Sequence, residues 1–313
     1  KSAAAFERLG SIRHLAVDKT GTLTRNQPEV TGVVPADGFD RPQVLSFAAA
    51  VEQQSTHPLA AAIAAAGPEA PTASDISEEA GHGIGGTVEG RRVLVGSPRW
   101  IDAGPLKADV ERMESEGQTC VLVTVDEALA GAIGVRDELR PEVPEAVQAL
   151  HANDVEVSML TGDNTRTARA LAGIAGIDDV RAELRPEDKA SIVAEFSSKT
   201  PTAMIGDGIN DAPALAGATV GIAMGATGSD AAIESADVAF TGHDLRLIPK
   251  ALQHARRGSR IINQNIVLSL AIIIVLMPLA ISGVLGLAAV VLVHEVAEVI
   301  VILNGLRAAQ AKR

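Results

Sequence analysis

The chain is poor in sulfur, in aromatic rings and in basic charge. Cys120 is the single cysteine in 313 residues, so the chain can form no internal disulfide and no thiolate metal cluster of its own. It sits in the alternation TCVLVTV, the pattern of a buried strand, and reads as structural rather than reactive. Aromatic residues make up 2% and tyrosine is absent. That argues against a platform on which nucleic-acid bases stack and leaves the core to Ala, Val, Leu and Ile. Lys and Arg number 27 against 39 Asp and Glu, a formal charge of -12, and this balance argues against nucleic acid as the partner. The run GxxxxGK[ST] is missing, which excludes P-loop phosphate binding. No repeat, low-complexity tail or signal peptide is evident. The opening KSAAAFERL is helical and lacks an initiator methionine, giving the expectation of a cut end or the end of a longer protein. The length allows two soluble domains and a further part.

That further part lies at the end. Residues 266–303 hold no ionisable side chain except His294, Glu295 and Glu298. About 20 residues cross a bilayer, so the run predicts two spans, 266–284 and 285–303, turning at Ser282, Gly283 and Gly286. Lys250, Arg256, Arg257 and Arg260 precede the run, and Arg307, Lys312 and Arg313 follow it. The positive-inside tendency puts both outer ends in the cytoplasm. The expected unit is a transmembrane hairpin over 263–305 with a cytoplasmic tail at 306–313 and the lipid bilayer as partner. A helical hairpin buried in a soluble core is the plainer alternative, although the apolar face runs all the way round.

The remainder alternates strands and helices. Apolar strands are expected at 12–17, 155–160, 202–205 and 220–223, with helices at 164–175 and 186–198. This βαβ rhythm predicts an α/β fold with a Rossmann-type parallel sheet. Residues 34–129 read as an insert: Ala-rich helices at 44–51 and 59–66, then Gly-punctuated strands at 86–89, 92–96 and 119–125. The predicted organisation is one domain from 1–33 and 130–262, with an inserted α+β domain at 34–129.

Three acidic motifs fall at the carboxyl ends of predicted parallel strands, where open α/β sheets bind ligands. They are Asp18 in DKTGTLT, Thr161-Gly162-Asp163-Asn164, and Gly206-Asp207-Gly208-Ile209-Asn210-Asp211. Each alone reads as a turn. Together, with Lys189 on the helix between the second and third, they predict one crevice. A carboxylate attacks phosphorus to give an aspartyl phosphate, and the remaining work is positioning and neutralising charge. Asp18 and Asp207, with Asp211 nearby, offer the hard oxygens that Mg²⁺ prefers. Lys189, Thr161 and the Gly162 amide suit phosphate oxygens.

DKTGTLT, TGDN and GDGINDAPAL stand in the order of the three signature runs of P-type ATPases, and the chain resembles that family over nearly its whole length. The resemblance implies a haloacid dehalogenase-like phosphorylation domain with an inserted nucleotide-binding domain, using ATP and Mg²⁺. It makes Asp18 the phosphorylated residue. It gives Lys19, Thr20, Thr161, Gly162, Lys189 and Asn210 phosphate contacts, and Asp18, the Thr20 carbonyl and Asp207 the Mg²⁺. Asp163 and Asp211 belong to the same catalytic set, and Asp137 in DELRP matches a position near the hinge. Many phosphatases of this superfamily carry a second aspartate two places after the nucleophile. Thr20 stands there, which implies a phosphoenzyme that persists.

In the insert, Ser55-Thr56-His57-Pro58 with Glu52, and the run Gly81-His82-Gly83-Ile84-Gly85-Gly86, are similar to the His-Pro and glycine motifs of heavy-metal-transporting P-type ATPases. The resemblance places Glu52, His57, Gly81 and Gly83 around ATP. In the last span His294 and Glu298 are four apart and Glu295 and Glu298 three apart, so they are helix neighbours. Ionisable groups inside a span are functional candidates, and imidazole with carboxylate suits a divalent transition-metal cation. A solvated span end is the alternative. The pair resembles the cobalt-type branch, but Val296-Ala297-Glu298 departs from its motif. The resemblance also implies missing parts, an actuator domain with its Thr-Gly-Glu loop and earlier spans with a Cys-Pro-Cys or Ser-Pro-Cys site. The expected behaviour is ATP binding and autophosphorylation without transport. A membrane-tethered phosphatase of the superfamily and a non-catalytic nucleotide-binding fragment needing a partner half are the other readings.

Overall fold

The computed structural model describes residues 3–55, 57–67, 69–79, 82–206, 211–225 and 234–309. In chain order the elements are α1 (Ala3–Ser11), β1 (His14–Asp18), β2 (Thr24–Pro35), α2 (Arg41–Glu52), α3 (Pro58–Ala66), β3 (Ala73–Glu79), β4 (Gly83–Val88), β5 (Arg91–Gly96), α4 (Lys107–Ser115), β6 (Thr119–Val125) and β7 (Ala128–Leu139). There follow α5 (Val143–His151), β8 (Glu156–Leu160), α6 (Thr165–Ala175), β9 (Asp179–Arg181), α7 (Pro186–Lys199), β10 (Thr202–Gly206), α8 (Ala212–Gly217), β11 (Val220–Met224) and β12 (Val238–Phe240). Two long helices close the chain, α9 (Leu247–Ile281) and α10 (Leu287–Ala309).

Among the described residues the strands form two six-stranded sheets. The first runs β12-β11-β10-β1-β8-β9 and is parallel throughout. From β1 the chain adds β8 and β9 on one side, then crosses back to add β10, β11 and β12 on the other. Its strands read as near-continuous apolar runs because both faces are covered. Leu15, Val17, Val157 and Ile205 pack on one side, and Ala16, Leu160, Met204 and Leu215 on the other. The central position of β1 puts Asp18 between the ends of β8 and β10.

The second sheet runs β2-β7-β6-β5-β4-β3 and is antiparallel. Helices α2 and α3 lie on its apolar face, with Val44, Val51 and Ile63 fully buried. Helix α2 starts where a capping box predicts: the Asp40 carboxylate accepts from the Gln43 backbone N–H at 2.8 Å, and Gln43 Oε1 accepts from the Asp40 backbone N–H at 2.9 Å. This sheet extends beyond the expected insert. Strands β2 and β7 pair from Thr24 to Pro35 and from Gly131 to Leu139, so the change of sheet falls near residues 23 and 140 rather than 33 and 130. The alternation of TRNQPEVTGVV does not distinguish which sheet the strand joins; the pairing with β7 does.

Helix α9 has two environments. Ile248, Leu252, Ala255 and Ile261 are buried against the first sheet and α1. Beyond them Ile266, Val267, Ile273, Ile274 and Ile281 are exposed. A 35-residue helix is about 52 Å long, longer than the roughly 30 Å apolar thickness of a bilayer. The predicted first span is therefore the second part of one continuous helix that continues through Pro278. The most apolar stretches of α9 and α10 are each only 6% buried, unlike the core hairpin of a soluble protein. At their base Asn304 Nδ2 donates to Asn265 Oδ1 at 2.8 Å and Asn265 Nδ2 to the Val301 carbonyl at 3.2 Å. Cys120 is buried on β6, and burial, followed by Glu114, pushes its thiol up to about 12.

Candidate active site

Three adjacent parallel strands, β10, β1 and β8, end side by side. Asp18 is the last residue of β1 and is 5% exposed. Thr161, also buried, follows β8. Asp211 precedes α8, past the end of β10. Lys189 reaches in from α7, its Nζ 2.5 Å from Asp18 Oδ1 and 3.0 Å from Asp211 Oδ1. Residues separated by 171 and 22 positions thus meet in one ion-paired cluster. Burial alone would lower the Lys189 ammonium, but Asp18 and Asp211 outweigh it and hold it above its ordinary value. A Cβ on Gly206 would lie 2.7 Å from Asp211 Oδ2, so the close approach of Asp211 requires glycine there.

The first and second motifs are also joined. Lys19 Nζ is 2.6 Å from Asp163 Oδ2, with both side chains mostly buried. The Asp163 amide donates to Thr161 Oγ1 at 3.1 Å, and Asn164 caps α6 by accepting from the Thr167 amide at 2.9 Å. Thr20 lies in the tight turn after Asp18, and Gly162 between Thr161 and Asp163. Asp207 and Asn210 lie outside the described residues.

Arg140 had no place in the sequence reading. Its Nε donates to the Thr22 carbonyl at 3.0 Å and its Nη2 to the Gly21 carbonyl at 3.1 Å. Asp137 accepts from the Thr24 hydroxyl and, at 3.0 Å, from the Gln27 amide. The run DELRP therefore clamps the loop that carries Asp18. Its contact with DKTGTLT spans 113 positions and leaves no local signal.

A second constellation lies on the other sheet. Glu52 ends α2 and is 7% exposed. Burial, with a smaller push from Glu78, raises its carboxyl to about 7. His57 caps α3, its Nδ1 accepting from the Leu59 amide at 3.3 Å. Burial lowers the His57 imidazole, opposed by Glu78 and Asp163. Glu78 on β3, missed in the sequence, accepts from Ser55 Oγ at 3.0 Å, and its register partner Ile84 neighbours Gly83. At Gly83 a Cβ would lie 2.1 Å from the Val95 carbonyl, so strand packing alone demands glycine. Gly81 lies outside the described residues. Between the two sheets Arg166 on α6 reaches Glu114 on α4, its Nη1 2.5 Å from Glu114 Oε2, while Asn164 Nδ2 donates to Glu114 Oε1 at 3.0 Å.

His294, Glu295 and Glu298 are all exposed on α10. Among the described residues no group of three or more His, Cys, Asp or Glu side chains comes together to hold a metal.

A parallel sheet with a buried aspartate at the end of its central strand, a lysine across from it and a second aspartate past the end of the next strand defines a class of phosphate-handling hydrolase. Residues 12–219 match the haloacid dehalogenase-like hydrolase family, and the chain belongs to it. Its relatives there are P-type ATPases. Over 312 residues it is 57% identical to the probable cation-transporting ATPase G of Mycobacterium tuberculosis (strain ATCC 25618 / H37Rv), covering 100% of this chain and 40% of the relative. Over 311 residues it is 42% identical to the zinc/cadmium/lead-transporting P-type ATPase of Escherichia coli (strain K12), covering 98% and 42%. A crystal structure of a zinc-transporting PIB-type ATPase in the E2.Pi state superposes with a TM-score of 0.75 at 40% identity, over 99% of this chain and 52% of that one. The catalytic domain of the CPx-ATPase CopB-B, described with its conformational changes upon nucleotide binding, gives 0.63 at 26% identity over 80% and 93%. The chain spans about two fifths of the length of the curated relatives it matches.

Proposed function

We propose that the chain is the ATP-binding, phosphorylation and membrane-anchoring part of a P-type pump for a divalent transition-metal cation of the Co, Zn, Cd or Ni type. The observation that carries this reading is the placement of Lys189 at 2.5 Å from Asp18 and 3.0 Å from Asp211 at the ends of adjacent strands. The pump sits in a cell membrane, with both sheets on the cytoplasmic side and the metal cation as its transported substrate.

An Asp18 carboxylate oxygen attacks the γ-phosphorus of ATP. The new P–O bond forms as the bond to the β-phosphate oxygen breaks, and ADP leaves with that electron pair. Lys189 neutralises the incoming phosphoryl charge from a position it already holds, so little reorganisation accompanies the step. Thr161 and the Gly162 amide take phosphoryl oxygens, and Lys19 is oriented by Asp163. The carboxylate oxygens at this crevice fit a hard divalent cation; Asp18, the Thr20 carbonyl and Asp207 would hold Mg²⁺, which supplies further charge neutralisation. Glu52, His57, Gly81 and Gly83 hold the nucleotide. Thr20, in place of a second carboxylate, offers no general base to a water, so the phosphoenzyme persists.

His294, Glu295 and Glu298 contribute ligands for the transported cation, with the remainder from earlier spans. An actuator domain and those spans, outside this sequence, complete the cycle. The test is incubation with γ-labelled ATP and Mg²⁺. An acid-stable, hydroxylamine-labile label that persists, with no metal-stimulated turnover, is expected. Fast release of phosphate from small phosphoesters without a label points to a phosphatase instead, and nucleotide binding with neither points to a non-catalytic fragment.

A further inference from the structure

At the foot of α9, where the helix leaves the first sheet and its exposed apolar stretch begins, a groove of about 780 Å³ opens against the end of α1. Arg13, Arg256 and Arg260 line it, and no carboxylate is among its lining residues. The arginine groups are incompletely satisfied. Arg256 donates from Nη1 to the Asn153 carbonyl at 2.6 Å and from Nη2 to the Ile12 carbonyl at 2.7 Å, while its Nε is buried with no partner. Ser259 Oγ, on the same wall, is also buried with no partner. The three arginines thus form a basic wall with no carboxylate among the residues lining the groove, which suits an oxygen-rich anion. Burial and then Arg13 hold the Arg256 guanidinium below its ordinary value, against Asp154, and an anion would relieve that repulsion.

Below the arginines the same groove continues onto Val267 and Leu268. A free phosphate would satisfy the basic end and leave this apolar floor unused. We propose that the groove binds an anionic phospholipid of the cytoplasmic leaflet. Its phosphate sits on Arg13, Arg256 and Arg260, and an acyl chain lies along Val267 and Leu268. The inference rests on the reading of α9 and α10 as membrane spans.

The test uses the full chain, delipidated in detergent. Flotation with phosphatidylcholine vesicles checks the spans separately from the site. Dissociation constants are then measured for phosphatidylglycerol and phosphatidylcholine. The double variant Arg13→Gln/Arg260→Gln is expected to weaken phosphatidylglycerol about twenty-five-fold, each basic residue near an anionic surface being worth roughly fivefold, and to leave phosphatidylcholine unchanged. Arg260→Lys keeps most of the preference, as does Arg307→Gln; Arg307 sits on α10 at the same base of the hairpin beside Asn304 but outside the groove. Flotation without a preference for phosphatidylglycerol overturns the site alone, leaving the groove to a protein segment. Failure to float overturns the spans and the lipid together. An equal loss in Arg307→Gln would reduce the effect to surface charge, and full displacement of the lipid by inorganic phosphate would make the ligand a free anion; either result overturns the proposal.

Discussion

Replacing Glu52 by glutamine should make the second sheet more stable at alkaline pH and hardly change it in acid. Glu52 is 7% exposed and its carboxyl is raised from 4.5 to about 7 by burial and then by Glu78. A carboxyl whose folded value lies above its unfolded value contributes nothing below the unfolded value, where both states are protonated. As pH rises through 4.5 the unfolded chain ionises while the folded one does not, and the fold loses stability until pH passes about 7, beyond which the loss is constant. The rise from 4.5 to about 7, at 1.36 kcal/mol per pH unit, corresponds to about 3 kcal/mol. The advantage of Glu52→Gln should therefore open by about 2.5 kcal/mol between pH 5 and pH 8. Trp100, the only tryptophan, stacks edge-on against His82 beside this sheet, so its fluorescence in urea reports unfolding there. Glu78→Gln should move stability the same way by a smaller amount. A Glu52→Gln advantage that is flat in pH, or that shrinks as pH rises, would refute the argument that burial holds this carboxyl neutral.

Other consequences follow from the crevice and core. Lys189→Met leaves Asp18 and Asp211 buried side by side, and phosphoenzyme formation from ATP should fall about 10²–10³-fold, measured by the rate of label incorporation; a fall under tenfold contradicts the charge-neutralising role. Gly206→Ala places a Cβ 2.7 Å from Asp211 Oδ2 and should also slow labelling while nucleotide affinity is kept. Loss of both together would mean a broader collapse. Arg140→Ala frees the Gly21 and Thr22 carbonyls and should lower the labelling rate without changing nucleotide affinity. Cys120, with its thiol pushed up to about 12, carries about a thousandfold less thiolate at pH 8 than an ordinary cysteine. A thiol reagent should label it only on unfolding, and rapid labelling of the native chain would contradict its burial.

The first sheet was legible because buried parallel strands write themselves as short apolar runs, and the residues that stop those runs are Asp18, Thr161 and the glycine-aspartate pair that follows Ile205 in the sequence. Lys189 was legible because Pro186 opens its helix. What stayed hidden depends on pairing between distant segments. Strands β2 and β7 join the second sheet through each other, and their polar alternation does not say with which sheet they pair. Arg140 acts through backbone carbonyls of the Asp18 loop, and carbonyls leave no trace in side-chain spelling. Glu78 looks like one more surface acid in SEEA until β3 brings it beside Ser55 and Glu52. The hairpin was visible as apolar length, but composition does not show that its first helix begins far earlier, inside the soluble part, because Ile248, Leu252 and Ala255 continue the same helical face.

The most direct measurement is the identity of the phosphorylated residue. The chain is incubated with ATP and Mg²⁺, quenched in acid and reduced with borohydride, which converts an aspartyl phosphate to homoserine, and its peptides are sequenced by mass spectrometry. The account predicts homoserine at position 18 alone, absent without ATP and absent from Asp18→Asn. Homoserine at Asp207 or Asp211, or a stable phosphate on a hydroxyl residue with Asp18 unmodified, would contradict it.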